Sequence, residues 1–372
     1  MAKGGTGAAV AERAENGRTV TPGFSRRDYL LIGLSAALVV TTLGARLGGV
    51  PEIGVFALSA VALAVLARVV GRGVDALGDR LGPSATGVVQ SALGNLPELF
   101  VVLFALHAGL VGVVQSAIVG SILANVLFVL GLAFLVGGLR HGRLRFAASA
   151  ARTIGLMLML SVAALLVPAL TAELHSPAAG HEGLLSRIVA GFLLALFALS
   201  LFTPALREPR GGEEDSQRPA QWSLPVALGV LAAGGAGAAF VSDWFVEGLR
   251  PAMDALHISQ AFAGLVIVAI ASNAVENVVG IQLAAQGRAD YALSVILQSP
   301  LQIALVLAPV VVLAAPLLGA SFTLVLPPLL IAALVLAVVI AVVVVLDGEG
   351  TWFEGAALIA LYAIIAAAFW WG

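Results

Sequence analysis

The chain of 372 residues contains no cysteine and few charged residues, which make up 11% of it. Without cysteine there is no disulfide framework and no thiolate metal site. The formal net charge of −2 gives no reason to expect nucleic acid as a partner. Scarce charge combined with 60% hydrophobic residues and a mean hydropathy of +1.05 excludes an ordinary soluble domain. The composition therefore predicts a polytopic membrane protein.

Long apolar stretches divide the chain into candidate membrane spans. A spanning helix needs about 20 apolar residues, and cutting the sequence at charged, proline-rich or glycine-rich breaks gives eleven such stretches. They lie at 29–47, 50–71, 83–106, 110–138, 145–170, 184–204, 222–246, 258–286, 290–315, 320–346 and 353–371. The stretches 110–138 and 258–286 are long enough to be tilted or broken. We therefore predict an all-α integral membrane protein with about eleven transmembrane helices.

Basic residues in the short loops predict the orientation. They precede span one and follow spans two, four and six, a pattern that assigns all these loops to the cytoplasm. These residues are Arg13, Arg18, Arg26, Arg27, Arg68, Arg72, Arg80, Arg140, Arg143, Arg145, Arg207, Arg210 and Arg218. We expect a multi-pass protein of the cell (inner) membrane whose N-terminus is cytoplasmic and whose C-terminus is outside.

A polar run near the middle of the chain predicts its division. Residues 206–221 include an acidic cluster, which is either a regulatory cation site or, as is more usual, a solvated loop. We predict a disordered cytoplasmic arm over 1–28, an extra transmembrane helix over 29–48, a first five-helix repeat over 49–205, the acidic cytoplasmic linker over 206–221 and a second five-helix repeat over 222–372.

Two carboxylates stand alone inside apolar, helix-long stretches: Glu98 and Glu276. A charge near the bilayer centre costs about 2.5–3.5 kcal/mol on insertion scales, so such residues usually mark ion or proton pathways. The alternatives are a protonated acid hydrogen-bonded between helices and a salt bridge. The sequence offers no obvious basic partner for a salt bridge, and we expect a transport role.

The two halves repeat in one register. Aligning Asn95 with Asn273 gives an offset of 178 residues, and the same offset pairs Glu98 with Glu276, Gly109 with Gly287, Ser116 with Ser294 and Ser121 with Ser299. Because each half has an odd number of spans, the second copy must enter the membrane from the opposite side. The pattern is that of an inverted-topology repeat, whose substrate site lies near the bilayer midplane.

The residues around the glutamates suit a hard cation. Asn95 and Glu98 lie three positions apart and share a helix face, as do Asn273 and Glu276. The next span of each half adds oxygens from Ser116, Ser121, Asn125, Ser294, Gln298, Ser299 and Gln302. Calcium takes six to eight oxygen ligands of these kinds. Pro97 and Pro300 each remove an amide hydrogen, which either frees a carbonyl as a further ligand or makes only a tolerated kink.

The motifs resemble a known family. The segments 94–100, 104–110 and 120–125 look like the first α-repeat of the calcium/cation antiporter superfamily, and 264–270, 272–276, 299–305 and 308–310 look like the second. The loop at 347–355 is similar to the last loop of the H⁺/Ca²⁺ exchanger (CAX) family. The resemblance covers roughly residues 50–371 and is closest to that family.

The resemblance implies exchange of cytoplasmic Ca²⁺, or a related cation, for H⁺ by alternating access. Glu98 and Glu276 would bind cation or protons, and the other metal-site residues would be Asn95, Asn273, Ser121, Asn125, Ser299 and Gln302. Two carboxylates brought together repel each other, whereas a divalent ion or protons relieve the repulsion, so the two cargoes compete. No cofactor is expected, and the expected partners are inorganic cations, protons and the bilayer.

Three departures from the family pattern flank the second glutamate. Ser272 and Asn277 replace a glycine and a histidine, and Gln298-Ser299-Pro300 replaces Gly-Ser-Ser. In the first repeat, Leu-Pro-Glu at 96–98 resembles the Na⁺/Ca²⁺ exchanger branch. Na⁺/Ca²⁺ exchange and monovalent cation/H⁺ exchange on the same fold therefore stay open, as does, less favourably, a passive cation channel. No enzyme is expected, because the sequence shows no nucleophile or metalloprotease-like motif.

Overall fold

The computed structural model describes residues 24–78, 93–201 and 222–371, apart from the side chains of Val275 and Glu276. Most of the predicted arm and the whole acidic linker lie outside these residues. The helices are α1 (Arg26–Leu47), α2 (Glu52–Gly78), α3 (Leu96–His107), α4 (Val111–His141), α5 (Ala148–Glu173), α6 (Glu182–Ser200), α7 (Leu224–Leu256), α8 (Gln260–Phe262, Ala263–Val268 and Ala269–Ala285), α9 (Ala289–Leu318), α10 (Pro328–Val345) and α11 (Trp352–Ala368). Two strands, β1 (Leu144–Arg145) and β2 (Glu349–Gly350), follow α4 and α10.

These helices coincide with the eleven predicted stretches and confirm the predicted fold class. Within the described residues, eight helices are long and apolar enough to cross a membrane, and α8 qualifies as a bent pair. The described part of α3 and the whole of α11 are shorter apolar helices. The expectation that the stretch 258–286 is broken agrees with a turn of 67° between its two halves. The stretch 110–138 instead forms one helix that contains a π-helical turn.

Helix α7 extends to Leu256 rather than ending at 246, and α10 begins at Pro328 rather than at 320. Two other boundaries differ from the predicted ones for reasons of local chemistry. Helix α1 begins at Arg26, three residues early, because Ser25 and Asp28 form a capping box that satisfies the first backbone N–H groups. Helix α2 continues to Gly78 rather than ending at 71. The charged residues in the last turns of α2 lie on one side of the helix. The first charge in the sequence therefore does not have to mark the end of the helix.

The first helices of the two halves, α2 and α7, run antiparallel. The rings of Phe56 and Phe245 stack at 4.8 Å between centroids, and Gly73, further along α2, contacts Leu231, which is earlier in α7. Equivalent helices that run in opposite directions are what an inverted repeat requires.

Local backbone features also recur at the offset of 178 residues. Gly109 and Gly287 both adopt positive φ, at 74° and 75°, in the turns before α4 and α9. A π-helical turn at Ala124–Val129 in α4 matches another at Ile303–Leu307 in α9. The repetition therefore extends from residue types to backbone conformation.

Contacts between helix ends define the two faces of the molecule. Asp28 at the start of α1 binds Arg72 near the end of α2, and β1 pairs antiparallel with β2. Glu349 also binds Arg143 and Arg145 across these strands. We call the face at which α1 begins, and which also carries the strands, the N-terminal face. At the opposite face the hydroxyl of Ser259 donates to the carbonyl of Phe369 at 2.5 Å.

Glycines allow α4 and α8 to approach closely. A Cβ added at Gly264 would lie 2.8 Å from the backbone nitrogen of Ala117, and one added at Gly120 would lie 2.7 Å from the carbonyl carbon of Leu265. Small residues at such crossings bring membrane helices together. This contact fixes the second-half helix α8 against the first-half helix α4, next to the residues considered below.

Candidate cation site

Glu98 lies in the first turn of α3 and is only 1% exposed. Its Oε1 accepts a hydrogen bond from the hydroxyl of Ser121 on α4. The same oxygen accepts a second bond from the side-chain amide of Asn273 on α8 at 3.3 Å. That amide also donates to the Ser121 hydroxyl oxygen at 3.1 Å. The carboxylate of one repeat is thus held by an amide of the other.

A second bond joins the halves through the other asparagine. The Nδ2 of Asn95, which lies just before α3, donates to Oε1 of Gln302 on α9 at 3.2 Å. Asn95 is buried, and Gln302 is the last residue before the π-helical turn of α9. Each asparagine therefore contacts the opposite repeat.

Asn125 lies inside the π-helical turn of α4. Its side-chain amide donates to the backbone carbonyl of Ser121 at 2.8 Å, so it secures the segment that presents the Ser121 hydroxyl. π-helical turns break the regular i to i−4 bonding and are frequent at functional sites. Here they occur in three helices of the site, at Ala124–Val129, Ala263–Val268 and Ile303–Leu307.

Glu276 and Ser299 are the second-repeat counterparts of Glu98 and Ser121. The side chain of Glu276 lies outside the described residues, but its backbone belongs to α8, at the bend between Gln260–Ala274 and Asn277–Ala285. The Ser299 hydroxyl is buried and has no hydrogen-bond partner among the described side chains.

The two prolines act differently from each other. Pro97 is the second residue of α3, after a turn at Gly94 and Asn95, so it starts a helix rather than kinking one. An N–H in that first turn has no helical partner in any case, which makes the position suitable for proline. Pro300 lies inside α9, three residues before Ile303, where the π-helical turn begins to interrupt regular bonding.

A cavity of about 250 Å³ adjoins these residues. It is lined by six polar residues and, towards the N-terminal face, by three charged residues of α2. The polar residues are Asn95, Ser272, Asn273, Gln298, Ser299 and Gln302, and the charged ones are Arg68, Arg72 and Asp75.

Sequence reasoning did not assign the three charged residues of α2 to the site. It used Arg68 and Arg72 only as loop markers, because the predicted span ended at residue 71. The spacing from Arg68 to Arg72 to Asp75, four and then three residues, places all three on one side of a helix. That spacing was the available signal.

The described side chains of the site offer hard oxygen ligands, from carboxylate, hydroxyl and side-chain amide groups. Among the residues that the structure describes, no cluster of three or more His, Cys, Asp or Glu side chains could hold a metal ion. Among the described side chains that hydrogen-bond around Glu98, its carboxylate is the one acidic group and the others are neutral hydroxyl and amide groups, all of the kinds that hard cations accept as ligands.

Comparison with known proteins places this geometry in a family. The family model described as "Sodium/calcium exchanger protein" matches residues 51–205 and 226–371. The Ca(2+)/H(+) antiporter ChaA of Bacillus subtilis is 32% identical over 331 residues, which cover 86% of this chain and 92% of that protein.

Solved structures agree with this result. Native YfkE superposes with a TM-score of 0.79 at 30% identity, over 91% of this chain and 99% of that one. The H⁺/Ca²⁺ exchanger CAX gives a TM-score of 0.73 at 15% identity, over 92% of each chain, and at that identity it shows the fold alone. These relatives are transporters rather than enzymes. The chain belongs to the sodium/calcium exchanger protein family and, within the calcium/cation antiporter superfamily, is CAX-like.

Proposed function

We propose that this protein exchanges cytoplasmic Ca²⁺, or a related cation, for H⁺ across the cell membrane, with its N-terminus in the cytoplasm. The observation that carries the proposal is the buried Glu98 carboxylate, held by Ser121 of its own repeat and Asn273 of the other. Relatives named Ca²⁺/H⁺ antiporters, in Bacillus subtilis and Aphanothece halophytica, support the choice of both ions.

Competition for one set of oxygens would couple the two fluxes. Buried ionised carboxylates are costly without a partner, so the site would switch its access from one face to the other only when Glu98 and Glu276 hold either protons or a cation. The switch would be least favourable when the site is empty and ionised. The cation would draw its remaining ligands from Asn95, Asn273, Ser121, Asn125, Ser299 and Gln302.

Inverted repeats offer a route to alternating access. We assign the repeats to 49–205 and 222–372, with α1 as an extra helix outside them. The cavity lined by Asn95 and Asn273 also includes side chains near the N-terminal face, so it would lie on the route by which a cation reaches the site from that side. Exchanging the arrangements of the two repeats would give access from the other side.

The experiment is ion flux in proteoliposomes under an imposed pH gradient, with Ca²⁺, Mn²⁺, Na⁺ and K⁺ tested separately. We expect saturable Ca²⁺ movement driven by the gradient and matched by proton movement in the opposite direction. Ca²⁺ movement that requires Na⁺ and ignores the pH gradient would replace this proposal with Na⁺/Ca²⁺ exchange. Flux that rises linearly with concentration would indicate a channel.

A further inference from the structure

The N-terminal half of the cavity presents arginine side chains on a route proposed for a cation. Arg68 and Arg72 both line it, together with one carboxylate, Asp75. A cleft lined by one sign of charge changes the local concentration and entry rate of ions by about 10- to 1,000-fold. Two guanidinium groups against one carboxylate would therefore disfavour cation entry.

A fourth charge, from outside the cavity wall, balances this set. Arg72 donates from Nε and Nη2 to Oδ1 of Asp28, at 3.1 and 2.9 Å. Asp28 is 3% exposed and belongs to α1. Counting these four side chains, two are positive and two are negative.

Local chemistry fixes the Asp28 carboxylate in this position. Its Oδ2 accepts the backbone N–H of Ser25 at 3.0 Å and the Ser25 hydroxyl at 2.7 Å, which is the capping box of α1. One oxygen therefore caps the helix while the other binds Arg72. The capping box holds the carboxylate in the orientation that binds Arg72, and the helix start cannot move away from α2 without losing that bond.

Aromatic side chains hold the same junction from the second half. The Arg72 guanidinium carbon lies 5.6 Å from the ring centroid of Trp222, which directly precedes α7. Trp222 in turn packs on Phe24, with 5.0 Å between ring centroids. At the edge of the cavity, Arg72 thus contacts both Asp28 and Trp222, and Phe24 supports Trp222 from behind.

We propose that Asp28 of the extra helix is a charge-compensating residue that sets cation entry from the N-terminal face. The inference rests on the proposed cation exchange. It gives α1, which lies outside both repeats, a functional role: the helix supplies a carboxylate that offsets the charge of the Arg72 guanidinium at the entrance.

An electrostatic role of Asp28 and a purely structural role predict different results for the single variants. Asp28→Asn adds one net positive charge to the entrance, so we expect the KM for Ca²⁺ to rise about tenfold with kcat little changed. Arg72→Gln removes one positive charge, so KM should stay the same or fall. The double variant restores the balance and should return KM to near the wild-type value. The rise for Asp28→Asn should shrink at high ionic strength, because salt screens the added charge.

The assay uses vesicles sorted by the accessibility of an N-terminal tag, with ⁴⁵Ca²⁺ added at the face that carries the tag. Glu247→Gln is the matched control, because Glu247 pairs with Arg46 at 2.8 Å near the other end of α1. It should leave KM at the N-terminal face unchanged. KM for entry from the opposite face should not change in any variant.

A purely structural pair would behave differently. Equal loss of flux in both single variants, without recovery in the double variant, would overturn the inference. If Asp28→Asn does not yield folded protein, Arg72→Gln decides alone: an unchanged or lower KM supports the inference and a higher one refutes it. Absence of Ca²⁺/H⁺ exchange in the wild type would instead refute the proposed function.

Discussion

Replacing Glu98 by glutamine removes the charge and keeps the shape of the side chain. Oε1 of Glu98 accepts bonds from Ser121 and Asn273, and both partners donate to it. The glutamine must therefore place its carbonyl oxygen there and its NH₂ group at the other position. A cation that needs a second oxygen from this side chain would meet a donor instead.

The cost can be bounded from the burial of the site. Removing one partner of a buried, hydrogen-bonded charge pair costs about 2–5 kcal/mol. Because 1.4 kcal/mol corresponds to about a factor of ten, the affinity for Ca²⁺ should fall by roughly 30- to 4,000-fold.

Thermal unfolding in detergent reads this change directly, because a ligand that binds the native state stabilises it. At a Ca²⁺ concentration of about 100 times the wild-type Kd, the wild type gains about 2.7 kcal/mol, whereas a variant with 100-fold weaker binding gains only about 0.4 kcal/mol. Flux in proteoliposomes should fall in parallel. Glu247→Gln removes an exposed carboxylate from α7 and should retain the full gain.

The reasoning would be refuted if Glu98→Gln folded normally, kept the full Ca²⁺-dependent stabilisation and transported Ca²⁺ at the wild-type rate. That result would mean that the carboxylate is a structural hydrogen-bond acceptor. Loss of Ca²⁺ stabilisation in a variant that unfolds at the same temperature without Ca²⁺ would support the cation site.

Two further variants test the surroundings of the site. Ser121→Ala removes the hydroxyl that donates to Glu98; a hydrogen bond to a charged group is worth about 1.5–3 kcal/mol, so Ca²⁺ affinity from the same unfolding assay should fall at least about tenfold. Unchanged affinity would exclude this hydroxyl from the site. Gly264→Ala places a Cβ 2.8 Å from the nitrogen of Ala117, and such overpacking should cost about 1–3 kcal/mol of stability. Gly33→Ala in α1 meets nothing within 4 Å and should not destabilise; equal melting temperatures for the two variants would contradict the packing argument.

Features that depend on residues close together in the sequence were predicted better than features that depend on contacts between helices. Each span is a local run of apolar residues, so hydropathy located all eleven helices, although α1 and α2 are longer than predicted at the N-terminal face. The capping box at Ser25 and Asp28 was readable in principle, because it spans four residues. The continuation of α2 was readable as well, because the spacing of Arg68, Arg72 and Asp75 places these charges on one side of a helix. The salt bridge from Arg72 to another helix was not.

The candidate site divides in the same way. The offset of 178 residues identified equivalent positions, Glu98 with Glu276 and Asn95 with Asn273. Equivalence does not give contact partners, however. A shared helix face suggested that Asn273 acts with Glu276, whose side chain lies outside the described residues. The structure adds that Asn273 donates to Glu98 across the repeat boundary.

The sequence by itself determined that this protein lies in a membrane, where its apolar helices fall along the chain, that its halves repeat with inverted topology and that Glu98 stands inside an apolar stretch. All of these follow from the cost of placing polar groups in hydrocarbon, which each segment carries within its own residues. Only the tertiary structure decided that Asn273 meets Glu98 and that Arg72 and Asp28 flank the cavity. These contacts depend on the depth and rotation of packed helices, which are set by close approaches such as Gly264 against Ala117.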